Sequence, residues 1–192
     1  MIIVPRIQTK LSTKEAIEAL LYGWNTVVNT CPDKASIGIL VAQWAFETGW
    51  GKFCWNYNLG NHRTYDGYEG KAIELASADE YIKGKRVIVG GYFQAFDTKE
   101  EGGLSHVKLL SQNPRYQAGW KVLNENPDPI AFVSAIKRAG YFTGDETTYA
   151  KGVASITQSV LGLMSWDCEP KALPDKVWSD LEEFHDWIFD NL

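Results

Sequence analysis

Between residues 65 and 96 the helical periodicity of the chain stops, and short apolar runs punctuated by glycine take its place. The runs cover 71–75, 80–82 and 86–89, with a Lys83-Gly84-Lys85 turn in the middle and Gly90-Gly91 ahead of Tyr92-Phe93. That pattern predicts a small antiparallel hairpin or three-stranded lobe. Helical spacing on both sides makes the lobe one insertion in a helical body, an α+β chain that is mainly α.

The helices carry their own punctuation. Ser12 and Glu15 form a Ser-x-x-Glu capping box, and Ile17, Leu20, Leu21, Trp24, Val27 and Val28 follow at helical spacing. Pro32-Asp33 restarts the chain into a second helix that ends near Glu47. After the lobe, Thr98 and Glu101 make another capping box, and helical spacing resumes through Leu104, Val107 and Leu110 until Asn113-Pro114. Further helices are expected over 116–124, over 129–139 closed by Gly140, and over 146–164. One domain is expected over 1–165. Residues 166–192 read as a Pro-containing linker and an amphipathic helix with Val177, Leu181, Phe184 and Ile188 on one face, packed on the body or on a partner.

At 192 residues, with 45% hydrophobic and 22% charged content, the chain is long enough for a sizeable core and too apolar for disorder. A formal charge of −5 without a basic stripe argues against a nucleic-acid partner, and no segment reaches membrane-spanning length. MIIVPRIQTK lacks an apolar run after a basic start, so synthesis in the cytoplasm without a signal peptide is expected. Cys31, Cys54 and Cys168 stand at no metal-ligand spacing, and His62, His106 and His185 read as isolated from one another. Neither a metal nor a cofactor is expected. One cysteine pair remains open, without a choice of partners.

Glu47 is the most informative single residue. Ile37, Leu40, Val41, Trp44 and Ala45 recur at helical spacing, and Glu47 falls on the edge of their stripe. Gly49 supplies the left-handed residue that ends a helix, which puts Glu47 in the last turn, where the macrodipole disfavours a carboxylate. Partial burial acts in the same direction. Both raise the pKa, as a general acid requires. On helix geometry alone, a surface carboxylate at an ordinary helix end fits equally well. The next stretch, WGKFCWNYNLGN, sets Trp50, Phe53, Trp55 and Tyr57 among Asn56, Asn58 and Asn61. Aromatic faces and amides are the groups that hold sugar rings, and eight Trp in the chain suit a carbohydrate cleft as well as a core.

Ala42 through Gly51, AQWAFETGWG, resembles the catalytic-helix signature of endo-β-N-acetylglucosaminidases of the flagellar-muramidase and autolysin type. In that signature an alanine-glutamine pair precedes Glu-Ser/Thr-Gly-Trp-Gly. Asn58-Leu59-Gly60-Asn61 is similar to the family's Asn-x-Phe-Gly segment, with Leu59 in place of the aromatic. Asp79-Glu80-Tyr81 with Gly84-Lys85 resembles its hairpin. Tyr92-Phe93-Gln94-Ala95-Phe96 resembles its Phe-Arg-x-Tyr strand, with Gln94 where arginine is common. Arg138-Ala139-Gly140-Tyr141-Phe142-Thr143 and Tyr149 resemble its Ala-Gly-Tyr-Ala-Thr segment and following tyrosine. The likeness covers about residues 11–164.

The resemblance implies a lysozyme-like helical body with a small β-hairpin lobe, and cleavage of β-1,4 bonds in peptidoglycan glycan strands. Glu47 would be the general acid. Glu80 would be the second carboxylate, in competition with Asp79, Glu74 and Glu69, and Tyr141 would support the acetamido group or the developing charge. Trp50, Trp55, Tyr57, Asn58, Asn61 and Tyr149 would line the subsites. The implied enzyme is a monomer that reaches the wall by release, virion delivery or dedicated secretion. Glucosaminidase specificity is favoured over a muramidase or a lytic transglycosylase, which needs a single acid. A chitin-directed enzyme and a non-catalytic glycan-binding module on the same fold are the remaining readings.

Overall fold

The computed structural model describes residues 1–82 and 85–164, apart from the side chains of 76–82, 86 and 88. The expected linker and C-terminal helix, with Cys168 and His185, lie outside the described residues. So do the Lys83-Gly84 turn and the side chain of Glu80.

Six α-helices and a three-stranded sheet make up the described structure. β1 (Ile2–Ile3) and α1 (Thr13–Val28) lead into α2 (Lys34–Thr48), followed by the hairpin strands β2 (Lys71–Ile82) and β3 (Lys85–Gln94). α3 (Lys99–Gln112), a 3-10 turn (Pro114–Tyr116), α4 (Gln117–Glu125), α5 (Pro129–Arg138) and α6 (Glu146–Leu163) complete the body. The expected capping box of α1 forms, Ser12 and Glu15 satisfying each other's backbone N–H groups, and Asp33 caps the helix that restarts there; Asp128 and Asp145, which the sequence reading did not single out, cap α5 and α6 through their side chains. Glu101 differs in detail: its carboxylate accepts from the N–H of Asp97, one residue ahead of the Thr98 cap.

Two expectations need correction in part. The expected antiparallel hairpin forms, but its short apolar runs merge into two long strands, paired from Ala72↔Gln94 to Ile82↔Lys85 with an irregularity between Leu75 and Ala78. It also gains a third, parallel strand from the N-terminus, Ile2 against Lys71 and Ile3 against Ala72, so the sheet is mixed. A two-residue strand carries no alternation to detect, and its partner lies some seventy residues away along the chain.

The second correction concerns α2, which the stripe reading made one-sided. Ile37 through Ala45 are all buried, because α1, α4 and α6 pack around the helix. It is the central helix of the body, and an all-round apolar surface is what such a position selects. A smaller cluster of Ile73, Phe93 and Ala95, with Val4, Trp55 and Leu75 against it, roots the lobe on the segment that leaves α2.

Candidate active site

The end of α2 sets the position of Glu47. Gly49 adopts the left-handed conformation at φ 56° and closes the helix by donating to Ala45 O. Trp50, Asn56, Tyr57 and Asn61 also have positive φ, so the chain leaves the helix through a tightly wound loop. Such a loop cannot satisfy its own backbone in a regular ladder, and its asparagines do that work. Asn56 accepts from Ile7 N at 2.9 Å and donates to Pro5 O at 3.1 Å. Asn58, 2% exposed, donates to His62 O and Gln94 O, both at 2.9 Å, and accepts from His62 N at 2.8 Å. Asn61 donates to the carbonyl oxygen of Glu47 at 2.7 Å, satisfying an orphan acceptor of the last helical turn. Of the two asparagines expected to meet sugar, Asn58 is committed to backbone on all sides, and Asn61 holds the backbone of the acid.

The carboxyl group of Glu47 meets α6. Tyr149 Oη donates to Glu47 Oε1 at 2.6 Å. Its ring is stacked on Phe142 at 4.0 Å between centroids and is flanked by Phe46 at 4.6 Å. Tyr149 was expected to face substrate; the structure places it on the carboxyl group instead. Glu47 keeps part of its surface open, yet its carboxyl is desolvated, and burial pushes its pKa up from 4.5 to about 7. The Tyr149 hydrogen bond pulls the other way and is the smaller effect.

Tyr141 follows Gly140, donates its hydroxyl to Gly60 O at 3.1 Å and stands edge-on to His62 and Tyr116. Burial and the nearby Glu47 both raise its pKa well above the usual tyrosine value, so it is a neutral hydroxyl. Trp50 is 49% exposed and makes an edge contact with Trp44. Trp55 is half-buried under the Arg6 guanidinium, and Tyr57 packs partly on the core. A shallow groove of about 400 Å³ borders Trp50, lined also by Gln8, Lys10, Gly51 and Lys52; Glu47 does not line it. In the lobe, Glu80 pairs with Val87 through backbone, and its side chain lies outside the described residues. Glu69 and Glu74 are exposed.

The structure also joins residues that the sequence kept apart. His62 and His106, read as isolated, stack with Nε2 of one 3.0 Å from Nδ1 of the other, and His106 Nε2 lies 3.1 Å from Gln43 Oε1. Histidines 44 positions apart give no sequence signal. Gln43 does give one, because it precedes Glu47 by four residues and shares its helix face. Among the described residues no group of three or more His, Cys, Asp or Glu side chains could hold a metal ion, and no helix is long and apolar enough to cross a membrane. Cys54 is a free, buried thiol.

Comparison with known proteins gives the frame for this geometry. Residues 34–161 match the glucosaminidase family model described as mannosyl-glycoprotein endo-beta-N-acetylglucosaminidase. Among curated proteins, the chain is 34% identical over 128 residues to the peptidoglycan hydrolase FlgJ of Pseudomonas aeruginosa, a match covering 63% of this chain and 30% of that protein. It is 30% identical to FlgJ of Vibrio parahaemolyticus over 64% of this chain and 40% of that one. The chain thus spans less than half the length of these relatives. Of solved structures, a peptidoglycan hydrolase mutant from Sphingomonas sp. A1 superposes with TM-score 0.59 at 26% identity, covering 82% of this chain and 96% of that one. A truncated glycoside hydrolase domain of Salmonella typhimurium FlgJ shares the fold at TM-score 0.53 and 23% identity, over 80% of this chain and 100% of that one. Because the family match takes in well over half of the sequence, from the start of α2 to the last turn of α6, this chain belongs to the glucosaminidase family.

Proposed function

We propose that the chain is a peptidoglycan hydrolase that cleaves β-1,4 bonds of the glycan strand as an endo-β-N-acetylglucosaminidase, with Glu47 as its general acid. The observation that carries this reading is the Glu47 carboxyl group, desolvated to a pKa of about 7 and fixed at Oε1 by Tyr149. A carboxylic acid with that pKa holds its proton near neutrality and still releases it to a sugar oxygen. Because Oε1 accepts from Tyr149, Oε2 is the oxygen left to carry the proton toward the bond. The proton passes to the leaving oxygen as the C1–O bond breaks, and water completes the hydrolysis. The neutral hydroxyl of Tyr141 supports the acetamido group or the developing charge. Glu80 of the lobe is the second carboxylate. Its separation from Glu47 sets the stereochemistry, roughly 5 to 5.5 Å for retention or 6.5 to 9.5 Å for inversion. The half-exposed face of Trp50 suits a sugar ring. The enzyme works as a monomer on wall glycan outside the cytoplasm.

Mass spectrometry of digested cell wall tests this directly. Reducing-end N-acetylglucosamine supports it, reducing N-acetylmuramic acid makes the enzyme a muramidase, and the anhydro sugar makes it a transglycosylase. Wall clearance that survives Glu47→Gln removes Glu47 as the acid. Activity on chitin oligomers without activity on purified wall moves the substrate to chitin, and glycan binding without cleavage leaves only a binding module.

A further inference from the structure

The hairpin lobe stands apart from the helical body. Among the described residues the helices pack on one another, and none packs extensively on β2 or β3. The lobe is held instead by its two edges, which are fastened to different parts of the chain. The outer edge of β3 meets the stretch that follows the loop: Gln94 N donates to His62 O at 2.9 Å, Thr64 N donates to Tyr92 O at 3.0 Å, and Arg63 bridges Phe93. The opposite edge meets the N-terminal segment. There Ile2 N donates to Gly70 O at 3.0 Å and Val4 N to Ala72 O at 2.9 Å, and Val4 packs on the cluster of Ile73, Phe93 and Ala95. A lobe held at one edge pivots about it, whereas a second fastening on the other edge fixes its tilt.

Past Val4 the N-terminal segment runs along the loop that leaves α2 and is bonded to it at successive residues. Asn56 N donates to Ile7 O at 2.8 Å, and the Asn56 amide accepts from Ile7 N at 2.9 Å and donates to Pro5 O at 3.1 Å. The Asn56 carbonyl accepts from Phe96 N at 2.9 Å, just beyond the end of β3. One residue thus joins the segment, the loop and the exit of the lobe. Thr9 N donates to Cys54 O at 3.0 Å, and the Thr9 hydroxyl accepts from Tyr57 N, also at 3.0 Å. Thr9 and Asn56 are both buried, so an unpaired polar atom at either is costly, and their pairings hold the segment in one register. The segment then presses on Gly51, where a Cβ would come within 3.3 Å of Leu11 O, before Ser12 starts α1. The far end of the same loop holds the backbone of the acid, through Asn61 and Glu47 O at 2.7 Å. Bonds and chain therefore run without a break from the β2 edge of the lobe to the Glu47 end of α2.

We propose that residues 2–11 are a strap that sets the tilt of the lobe against the Glu47 end of α2, with Thr9 and Asn56 as its positioning residues. This rests on the reading that the lobe and Glu47 act on one glycan strand. The strap lies ahead of residues 34–161, so the family-matched region does not contain it. A change of tilt moves the lobe relative to Glu47, and a displacement on the order of 1 Å is enough to slow turnover. Asn58 has a different part: it bonds the β3 edge, which keeps the Gln94 and Thr64 bonds without it, and so does not set the tilt.

Three substitutions test the strap. Thr9→Val keeps the shape of the side chain and takes the acceptor from Tyr57 N, Thr9→Ser keeps the hydroxyl, and Asn56→Gly removes the amide while suiting the φ of 45° at that position. Residual dipolar couplings of backbone amides read the orientation of the lobe against the helices without any substrate. In the wild type one alignment is expected to fit the amides of residues 72–75 and 91–94 together with those of α2 and α6. In Thr9→Val and Asn56→Gly the lobe amides are expected to lose that common fit while the helices keep theirs, and Thr9→Ser is expected to retain it. On wall glycan, kcat per folded molecule is expected to fall about tenfold in Thr9→Val with KM changed less than about twofold, and to return in Thr9→Ser. Should Thr9→Val fail to fold, Asn56→Gly carries both measurements. A lobe that stays aligned with the helices in the folded variants, or a kcat that is unchanged once the folded fraction is counted, overturns the proposal and leaves the segment a stabilising contact only. Because the couplings need no substrate, a wild-type protein that hydrolyses nothing defeats the proposed function, while the alignment alone decides the strap.

Discussion

Helix α2 and the loop that leaves it, residues 50–61, use polar side chains in opposite ways. The helix satisfies most of its own backbone, and although Ser36 and Thr48 are spent on backbone atoms, its two long polar side chains reach other side chains: Gln43 turns to His106, and Glu47 receives Tyr149. The loop turns through five positive-φ residues between Trp50 and Asn61, of which Gly51 alone has glycine's conformational freedom, and its amides go to backbone atoms of the N-terminal segment, the lobe and the helix end. An amide in a regular element is available to function, whereas in an irregular one it is usually already spent. What the loop leaves for a ligand is aromatic: Trp50 and Phe53 are about half exposed, at 49% and 54%.

Breaking the helix side is expected to have the largest effect. Glu47→Gln should lower wall hydrolysis at least about a hundredfold, the lower end of what a positioned acid contributes, measured by turbidity clearance and product analysis. The same change should stabilise the fold at pH 8. A carboxyl raised from 4.5 to about 7 on folding keeps its full stabilising proton below 4.5 and loses that contribution as pH rises to 7. Gln does not titrate and escapes the loss. The shift corresponds to about 3 kcal/mol, and solvent reaching the site reduces the expected gain to about 2 kcal/mol, readable by urea unfolding at pH 8 against pH 4.

On the loop side, Asn58→Ala should cost about 2 kcal/mol in urea unfolding, because it takes the side-chain acceptor from the buried His62 N–H and one donor each from the carbonyls of His62 and Gln94, the first of which still accepts from Gln94 N. Its activity should fall only as far as its folded fraction does. A folded Asn58→Ala enzyme with weakened glycan binding would return Asn58 to the subsites. The pH profile of hydrolysis sharpens the helix side again, since activity should decline as pH rises through about 7, where Glu47 loses its proton. An alkaline limb that stays put in Tyr149→Phe would separate the hydroxyl from the acid. The smallest effect belongs to Trp50→Ala. It should change stability by less than about 0.5 kcal/mol, because the ring is half in solvent, and should raise KM for wall glycan a few-fold with kcat nearly unchanged.

Much of the helical body was legible in the sequence. Ser12 with Glu15, and Asp33 with the Gly49 terminator, each act within a few residues, and the structure uses them where they stand. Glu47 was legible for the same reason, as a carboxylate at the end of an apolar helix. The roles of Asn58, Asn61 and Tyr149 were not. Their residue types suit sugar, and only the packed chain shows the first two on backbone and the third on the acid. The N-terminal strand and the His62–His106 pair were invisible because their partners are far along the chain and neither half has a periodicity of its own.

The order and type of the elements, their caps, and the identity of one acidic residue at a helix end were thus settled by local chemistry, where each choice depends on neighbours within a turn or two. The proton affinity of that residue was settled by packing. Desolvation comes from elements that meet it in space, and α6 brings Tyr149 to it from 102 positions away. Electrostatics in a desolvated interior depends on distance through space, and no reading of distance along the chain supplies it.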